Sequence, residues 1–274
     1  MRDRSIGLLL ALPAIATIAL LYLMPLMASA TGAFATEAGF GIGNFVKTYE
    51  LYTTDILYTL VIVSLSTVII AALAVAIAGY LTLGENPAAV EVLRWLYRWP
   101  LFIPFIVVGQ VLRTFLAKNG LMNNLLVAAG ILTPLQTMSF LDWRGIVIAF
   151  VWKQTPFVTL LLAGAMAALD RGTIEAARNL GASRLRILFE IVVPQVRTTL
   201  FVAMVLSFVT MMSVLSVPLM ISAQSPTMIT ADISFRINAY GDYGVANALG
   251  MISLAMTMAV AVFYLRQNLK EKAR

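Results

Sequence analysis

The sequence predicts an all-α polytopic membrane protein, a single bundle of six transmembrane helices carrying a charged elbow on one side. Three observations predict it. Hydrophobic residues make up 61% of the 274 residues, and the mean hydropathy is +0.91. Charged residues are only 12%, against roughly 25% in a soluble domain. The apolar residues also come in six long runs, each able to supply the about 20 helical residues that cross a hydrocarbon core. A chain of this length could hold one or two soluble domains, but a water-facing surface cannot cover such runs. Residues 1–274 read as one transmembrane domain without a linker, short-period repeat or separate soluble unit.

The runs are Ile6–Ala30, Ile56–Leu83, Trp95–Ala117, Gly145–Leu169, Thr199–Ser222 and Val245–Leu265. Helices are expected because lipid offers no partner to an open backbone, and the alternation of barrel strands is missing. The first run follows Arg2 and Arg4 and ends in Ala28-Ser29-Ala30, the outline of a signal peptide. Its apolar stretch exceeds the roughly 7–15 residues of a signal core, so a retained helix is expected. Pro13, Pro100, Pro104, Pro156 and Pro218 fall inside the runs, where each removes a helical hydrogen bond and favours a kink. The connections 31–55, 118–144 and 223–244 have room for short helices lying at the interface.

Basic residues set the orientation. Segments 1–5, 84–98, 170–197 and 266–274 fall on one side and carry 13 of the 19 lysines and arginines but seven of the 13 acids, hence the whole net charge of +6. Both termini and the segment around Glu175 are therefore expected in the cytoplasm. With the charge confined to one membrane face, a pI near 9.7 does not point to nucleic acid.

That cytoplasmic segment includes EAARNLGASRLRILFEIVVPQ, from Glu175 to Gln195. Thr173 is a candidate N-cap, and Ile174, Ala177 and Leu180 share one helical stripe. Gly181 stands where a helix end wants a left-handed residue. Ser183 can cap a second helix whose apolar face is Leu185, Leu188, Phe189 and Val192, with Pro194 ending or bending it. The predicted elbow, residues 173–194, is two short helices around a sharp turn. Helices this short are marginal in water, so they dock on a protein partner or lie on anionic lipid.

The residues here resemble a known motif. Glu175-Ala176-Ala177, then Gly181, Ile191 and Val193-Pro194 follow the EAA pattern of membrane (permease) subunits of binding-protein-dependent type I ABC importers. Val193 in place of leucine is the one departure. The resemblance implies that the elbow is a coupling helix seated in a cleft of an ATP-binding subunit. Glu175 and Arg178 would make polar contacts there, Ala176 and Ala177 would permit close approach, and Gly181 would set the turn, with Ala182, Ile191 and Pro194 also among the coupling residues. It implies two cytoplasmic ATPase subunits, a second permease subunit, identical or related, and an extracytoplasmic solute-binding protein. It also implies the bacterial inner membrane. ATP and magnesium would be bound by the ATPase partner, with no cofactor in this chain. Phe115 to Gly120 and Asn123 to Leu126 look most similar to the polyamine-type branch, which also includes phosphonate, opine and ferric iron permeases.

Other activities are disfavoured by what the sequence lacks. No G-x-x-x-x-G-K-[ST] loop is present, so no ATPase site is expected. With no histidine and no cysteine, thiolate metal sites and histidine-based catalysis are excluded, and no metal site or enzyme activity is expected. An ion-coupled secondary transporter is the alternative, but no proposed span holds an interior carboxylate for coupling.

Polar residues within spans are the pathway candidates. They are Gln110 in the third span, Trp152, Lys153, Gln154 and Thr155 in the fourth, Thr210 and Ser213 in the fifth, and Asn247 in the sixth. Helix–helix packing is the competing role for the hydroxyls, and snorkelling to the interface for Arg113 and Lys153. Lys153 lies about 12 Å into its span, deep for snorkelling. The expected solute is small and polar, polyamine-like by resemblance, whereas the cationic residues favour an anionic or zwitterionic one such as an aminophosphonate or amino-acid conjugate.

Overall fold

The computed structural model of the protein describes residues 11–37, 39–222 and 224–272. Among these it is an all-α bundle with one two-stranded hairpin. Five helices are long and apolar enough to cross a membrane: α1 (Ala11–Phe34), α2 (Gly43–Leu83), α6 (Trp143–Ala167), α8 (Arg184–Ser213) and the Tyr243–Phe263 part of α11 (Tyr243–Lys272). The shorter helices are α3 (Pro87–Leu96), α4 (Phe105–Leu116), α5 (Leu121–Ala128), α7 (Arg171–Asn179), α9 (Ser216–Ile221) and α10 (Ile229–Asn238). Strands β1 (Ala35–Thr36) and β2 (Gly39–Phe40) pair antiparallel between α1 and α2. The expected beginning of the first span at Ile6, and both chain termini, lie outside the described residues.

α2 and α6 form the centre of the bundle, with α8 packed on both. Ile62, Val63, Ile70, Ala74 and Ala78 of α2 meet Phe150, Val158 and Leu162 of α6 in one core. Small residues such as Ala74 and Ala78, both fully buried, let the backbones approach closely, and dispersion contacts rather than the hydrophobic effect hold membrane helices together. α1 packs mainly on α11, where the Ser29 hydroxyl donates to Asn247 Oδ1 at 2.9 Å.

α2 is longer than expected. Its 41 residues rise about 62 Å, twice the thickness of a hydrocarbon core. The Thr82 hydroxyl reaches Met166 Sδ at 3.7 Å, so its C-terminal end lies beside the end of α6. The other end rises to α10, where Thr59 Oγ1 accepts from the Ile229 amide at 3.0 Å and Asp55 Oδ1 from the Thr227 amide at 2.6 Å. Asp55, just ahead of the span expected from Ile56, is therefore a buried carboxylate within a continuous helix. Capping a neighbouring loop is its use. The proposed span from Ile56 itself holds no carboxylate; Asp55 enters because the helix begins earlier, at Gly43.

Prolines act in three ways. The third expected span, Trp95–Ala117, is not one helix: the arms Pro87–Phe102 and Phe105–Ala128 meet at 105°. Pro100 and Pro104 each lack a donor, and Pro104 forces Ile103 into extended backbone. Pro156 sits inside α6 without interrupting it. Pro25 and Pro194 each follow a π-helical turn, Ala19–Leu23 and Leu188–Val192. The wider turn takes the Val193 amide to Leu188 O, easing the clash a proline ring makes with the carbonyl four residues back. Of the two effects expected of Pro194, ending or bending the second elbow helix, ending does not occur, and α8 runs unbroken into the fifth span. That span instead breaks at Val214–Leu215, inside the expected Thr199–Ser222 helix. The three connections hold the hairpin, α5 and α10.

Candidate functional site

The elbow is built by backbone caps. Asp170, not Thr173, is the N-cap of α7: its Oδ1 accepts from the Gly172 amide at 3.0 Å and its Oδ2 from the Thr173 hydroxyl at 3.2 Å. Aspartate competes better because it accepts twice, and those two donors hold its carboxyl below the usual carboxylate range. At the other end Gly181 has φ +80°. Its amide donates to Arg178 O at 2.9 Å and that of Ala182 to Ala177 O at 3.0 Å, the paired bonds of a Schellman turn. Ser183 then caps α8 by accepting from the Arg186 amide.

The apolar stripe is divided. Ile174 and Ala177 pack onto the bundle core, together with Ala182 and, in α8, Ile187, Leu188 and Val192. Leu180, Leu185 and Phe189 are expected on the same faces but are 88%, 68% and 60% exposed. Periodicity finds residues that share a face; the rotation of that face is set by packing, and the π-turn changes it again. Glu175, Ala176 and Arg178 are exposed or lie at the cavity rim, with Ile191 half-buried and Pro194 exposed. The elbow is fastened to its own bundle by Arg178 Nη2 donating to Leu83 O at 3.2 Å and by an Arg184–Glu85 ion pair. A cation at those α2 carbonyls complements the helix end.

Two of these features give the elbow a mechanical property. Its first helix, α7, has a side chain embedded in the core, and its second helix is the start of α8. The 30 residues of α8 extend about 45 Å. Displacement of the elbow therefore displaces a rod whose far end is the break at Val214–Leu215.

The pathway candidates divide between surface and interior. Gln110 on α4, with Thr210 and Ser213 on the last turns of α8, is exposed. Arg113 and Thr114 join Gln110 on one exposed face of α4 at helical spacing. Arg113 Nη1 donates to Met220 O on α9 at 2.8 Å, and Gly109 allows that approach, since a Cβ there would lie 3.0 Å from Met220 Cβ. α9 thus links the polar face of α4 to the end of α8. The remaining candidates are used in packing. Lys153 Nζ donates to Pro100 O and Leu101 O, both at 2.9 Å; Pro100 O also accepts from the Ile103 amide at 3.3 Å, so the lysine adds a second donor to one carbonyl and supplies Leu101 O with a partner where the third span breaks. Gln154 and Thr155 are buried, and Trp152 is half-buried beside an apolar recess that Leu93 and Leu96 also line. Asn247 bonds Ser29. The break itself is the signal that sequence reasoning misses for Lys153: a deep lysine one element away from a Pro-x-x-x-Pro sequence.

Among the described residues no group of three metal-ligating side chains occurs.

Comparison with known proteins accords with this geometry. The family model for the binding-protein-dependent transport system inner membrane component matches residues 74–270. The trehalose/maltose transport system permease protein MalF of Thermococcus litoralis is 27% identical over 291 residues, covering 97% of this chain and 94% of the relative. The spermidine/putrescine transport system permease protein PotB of Escherichia coli is 30% identical over 169 residues, 59% of this chain and 61% of the relative. In fold, the chain is similar to a bacterial ABC transporter involved in import of the acidic polysaccharide alginate, with TM-score 0.81 at 20% identity, covering 98% and 96% of the two chains. A second structure, the bacterial alginate ABC transporter in complex with an alginate pentasaccharide-bound periplasmic protein, gives TM-score 0.80 at 21% identity over 96% and 93%. An elbow fastened into a helical bundle, the EAA spacing and a family match over most of the length agree, and the chain belongs to the binding-protein-dependent inner membrane components, the permease subunits of ABC importers.

Proposed function

We propose that this permease conducts a carbohydrate, delivered by an extracytoplasmic binding protein to the face opposite the elbow. The protein lies in a bacterial inner membrane, and its elbow faces the cytoplasm and seats in an ATPase subunit. A second permease subunit completes the conduit, with a second ATPase beneath it. Leu180, Leu185 and Phe189 supply an exposed apolar contact for the ATPase, and Glu175 and Arg178 polar ones. ATP-driven closure then moves α7 and tilts α8 as one rod.

One observation carries the solute reading. On α4 and the last two turns of α8 the exposed polar residues are an amide, hydroxyls and one guanidinium, Gln110, Arg113, Thr114, Thr210 and Ser213, with no carboxylate among them. Groups of this kind in a bilayer belong on a wet path rather than against lipid. They can hydrogen-bond a polyhydroxylated solute, while a polycation lacks a counter-charge there. Likeness over nearly the whole chain to a trehalose/maltose permease and, in fold, to an alginate importer supports a sugar; likeness to the polyamine permease covers 59% of the chain. Uptake into proteoliposomes containing the complete complex tests it, with labelled disaccharide and spermidine supplied through the cognate binding protein. Disaccharide uptake that needs ATP is expected. ATP-driven spermidine uptake without sugar uptake overturns it.

A further inference from the structure

A cavity of about 530 Å³ opens between the elbow and the bundle. Arg94 and Arg98 at the α3 end and Arg171 and Arg178 of α7 line it, with Glu175 the one carboxylate. Arg98 is held by the Tyr97 hydroxyl at 3.2 Å and Arg178 by Leu83 O. No described carboxylate pairs with Arg94 or Arg171 within salt-bridge distance. Four guanidinium groups against one carboxylate leave a strong excess of positive charge around one hollow. Beneath the rim the wall becomes apolar, with Leu160, Ala163 and Ala167 of α6, the helix that continues into the membrane.

We propose that this cavity binds the headgroup of an anionic phospholipid from the elbow-side leaflet, its phosphate among the arginines and its acyl chain along α6. A free phosphate would use the rim and leave the apolar wall wet; a lipid uses both. Basic pockets between transmembrane helices favour anionic headgroups through charge and bidentate phosphate geometry. The site joins α3, α6 and α7, so an occupied cavity braces the root of the elbow. This inference is independent of which solute the permease conducts.

Tryptophan quenching tests it, because Trp95 and Trp99 neighbour Arg94 and Arg98 in sequence and pack edge to face at 4.7 Å. The full-length chain, with Trp143 and Trp152 replaced by phenylalanine, is placed in phosphatidylcholine nanodiscs containing brominated phosphatidylglycerol, or brominated phosphatidylcholine at equal mole fraction. Stronger quenching by the glycerol lipid is expected. A guanidinium near the surface contributes about fivefold, so R94Q/R98Q retains roughly a twenty-fifth of that preference. The charge-keeping R94K/R98K retains most of it and controls for loss of fold. Equal quenching by the two lipids, or a preference unchanged in R94Q/R98Q, overturns the proposal. So does loss of the preference on adding inorganic phosphate alone, which assigns the cavity to a free anion, or on adding the ATPase subunit, which assigns it to that partner.

Discussion

Substitution of Gly181 separates backbone strain from steric clash. The residue has φ +80°, and a Cβ built there meets no atom within 4 Å. Alanine therefore suffers only the left-handed penalty of an L-residue, about 1–2 kcal/mol, partly offset by about 0.4–1 kcal/mol of freedom lost from the unfolded chain. The net cost is about 1 kcal/mol, a factor of about five in the local opening equilibrium. Asparagine, which tolerates this region, should cost less, and valine more because its branched Cβ is an outlier there. Leucine should match alanine in the isolated chain, since the space beyond Cβ is open. Hydrogen exchange at the Ala182 amide, which closes the Schellman turn on Ala177 O, reads the ranking. The parent should be slowest, followed by Gly181→Asn. Gly181→Ala and Gly181→Leu should exchange about fivefold faster than the parent, and Gly181→Val faster still. Substrate-stimulated ATP hydrolysis by the complete complex adds a second reading. If the elbow seats in an ATPase cleft, leucine loses coupling that alanine keeps. A valine variant with parental exchange at Ala182 would refute the backbone argument, and full coupling in the leucine variant would refute the close docking.

Three further outcomes are expected. Lys153→Met leaves Leu101 O unpaired, while Pro100 O keeps the Ile103 amide, and should lower stability by about 1–3 kcal/mol in thermal unfolding within nanodiscs, whereas Lys153→Arg should keep most of it; equal melting of the methionine variant and parent would sink the role as a brace. Asp170→Ala removes the α7 cap and should cost about 1 kcal/mol, seen as faster exchange of the Gly172 and Thr173 amides. Because the Asp170 carboxyl is held below its ordinary range, the parent cap should persist through neutral pH and fail only as pH falls through that lowered value. Asp232 on α10 behaves oppositely: it is only 7% exposed, its Oδ2 has no hydrogen-bond partner, and burial with the nearby Asp55 charge pushes it up to about 7, against the pull of Arg236. Its protonated form is the one that fits the fold, so its contribution is full at acid pH and is lost as pH rises through about 7. Protection of the α10 amides, corrected for intrinsic exchange, should fall across that range in the parent and stay level in Asp232→Asn; a parallel fall in both would exclude Asp232 as the cause.

The legible parts of the sequence are those in which local chemistry decides. Gly181 and Ser183 are identifiable as turn and cap because the left-handed conformation and the N-cap acceptor are properties of single residues. The fourth span, expected at Gly145–Leu169 and found at Trp143–Ala167, is legible because bilayer thickness sets a length that composition alone can meet. Asp170 is hidden behind Thr173 because both satisfy the cap rule, and only the folded turn shows which oxygen receives the Gly172 amide. Lys153 reads as a pathway candidate by depth. Its depth is real, but the carbonyls it meets belong to residues about fifty positions earlier, and no local rule connects them.

By itself the sequence determined that this is a helical membrane protein with a capped, glycine-turned elbow, because hydropathy, helix rise and backbone preference act over a few turns. Only the tertiary structure decided which side of each helix is buried, where the third and fifth spans break, and that the elbow and the fifth span share one helix. Those depend on which carbonyls and side chains from distant segments meet, and in a bilayer every backbone group freed by a break must find its partner among them.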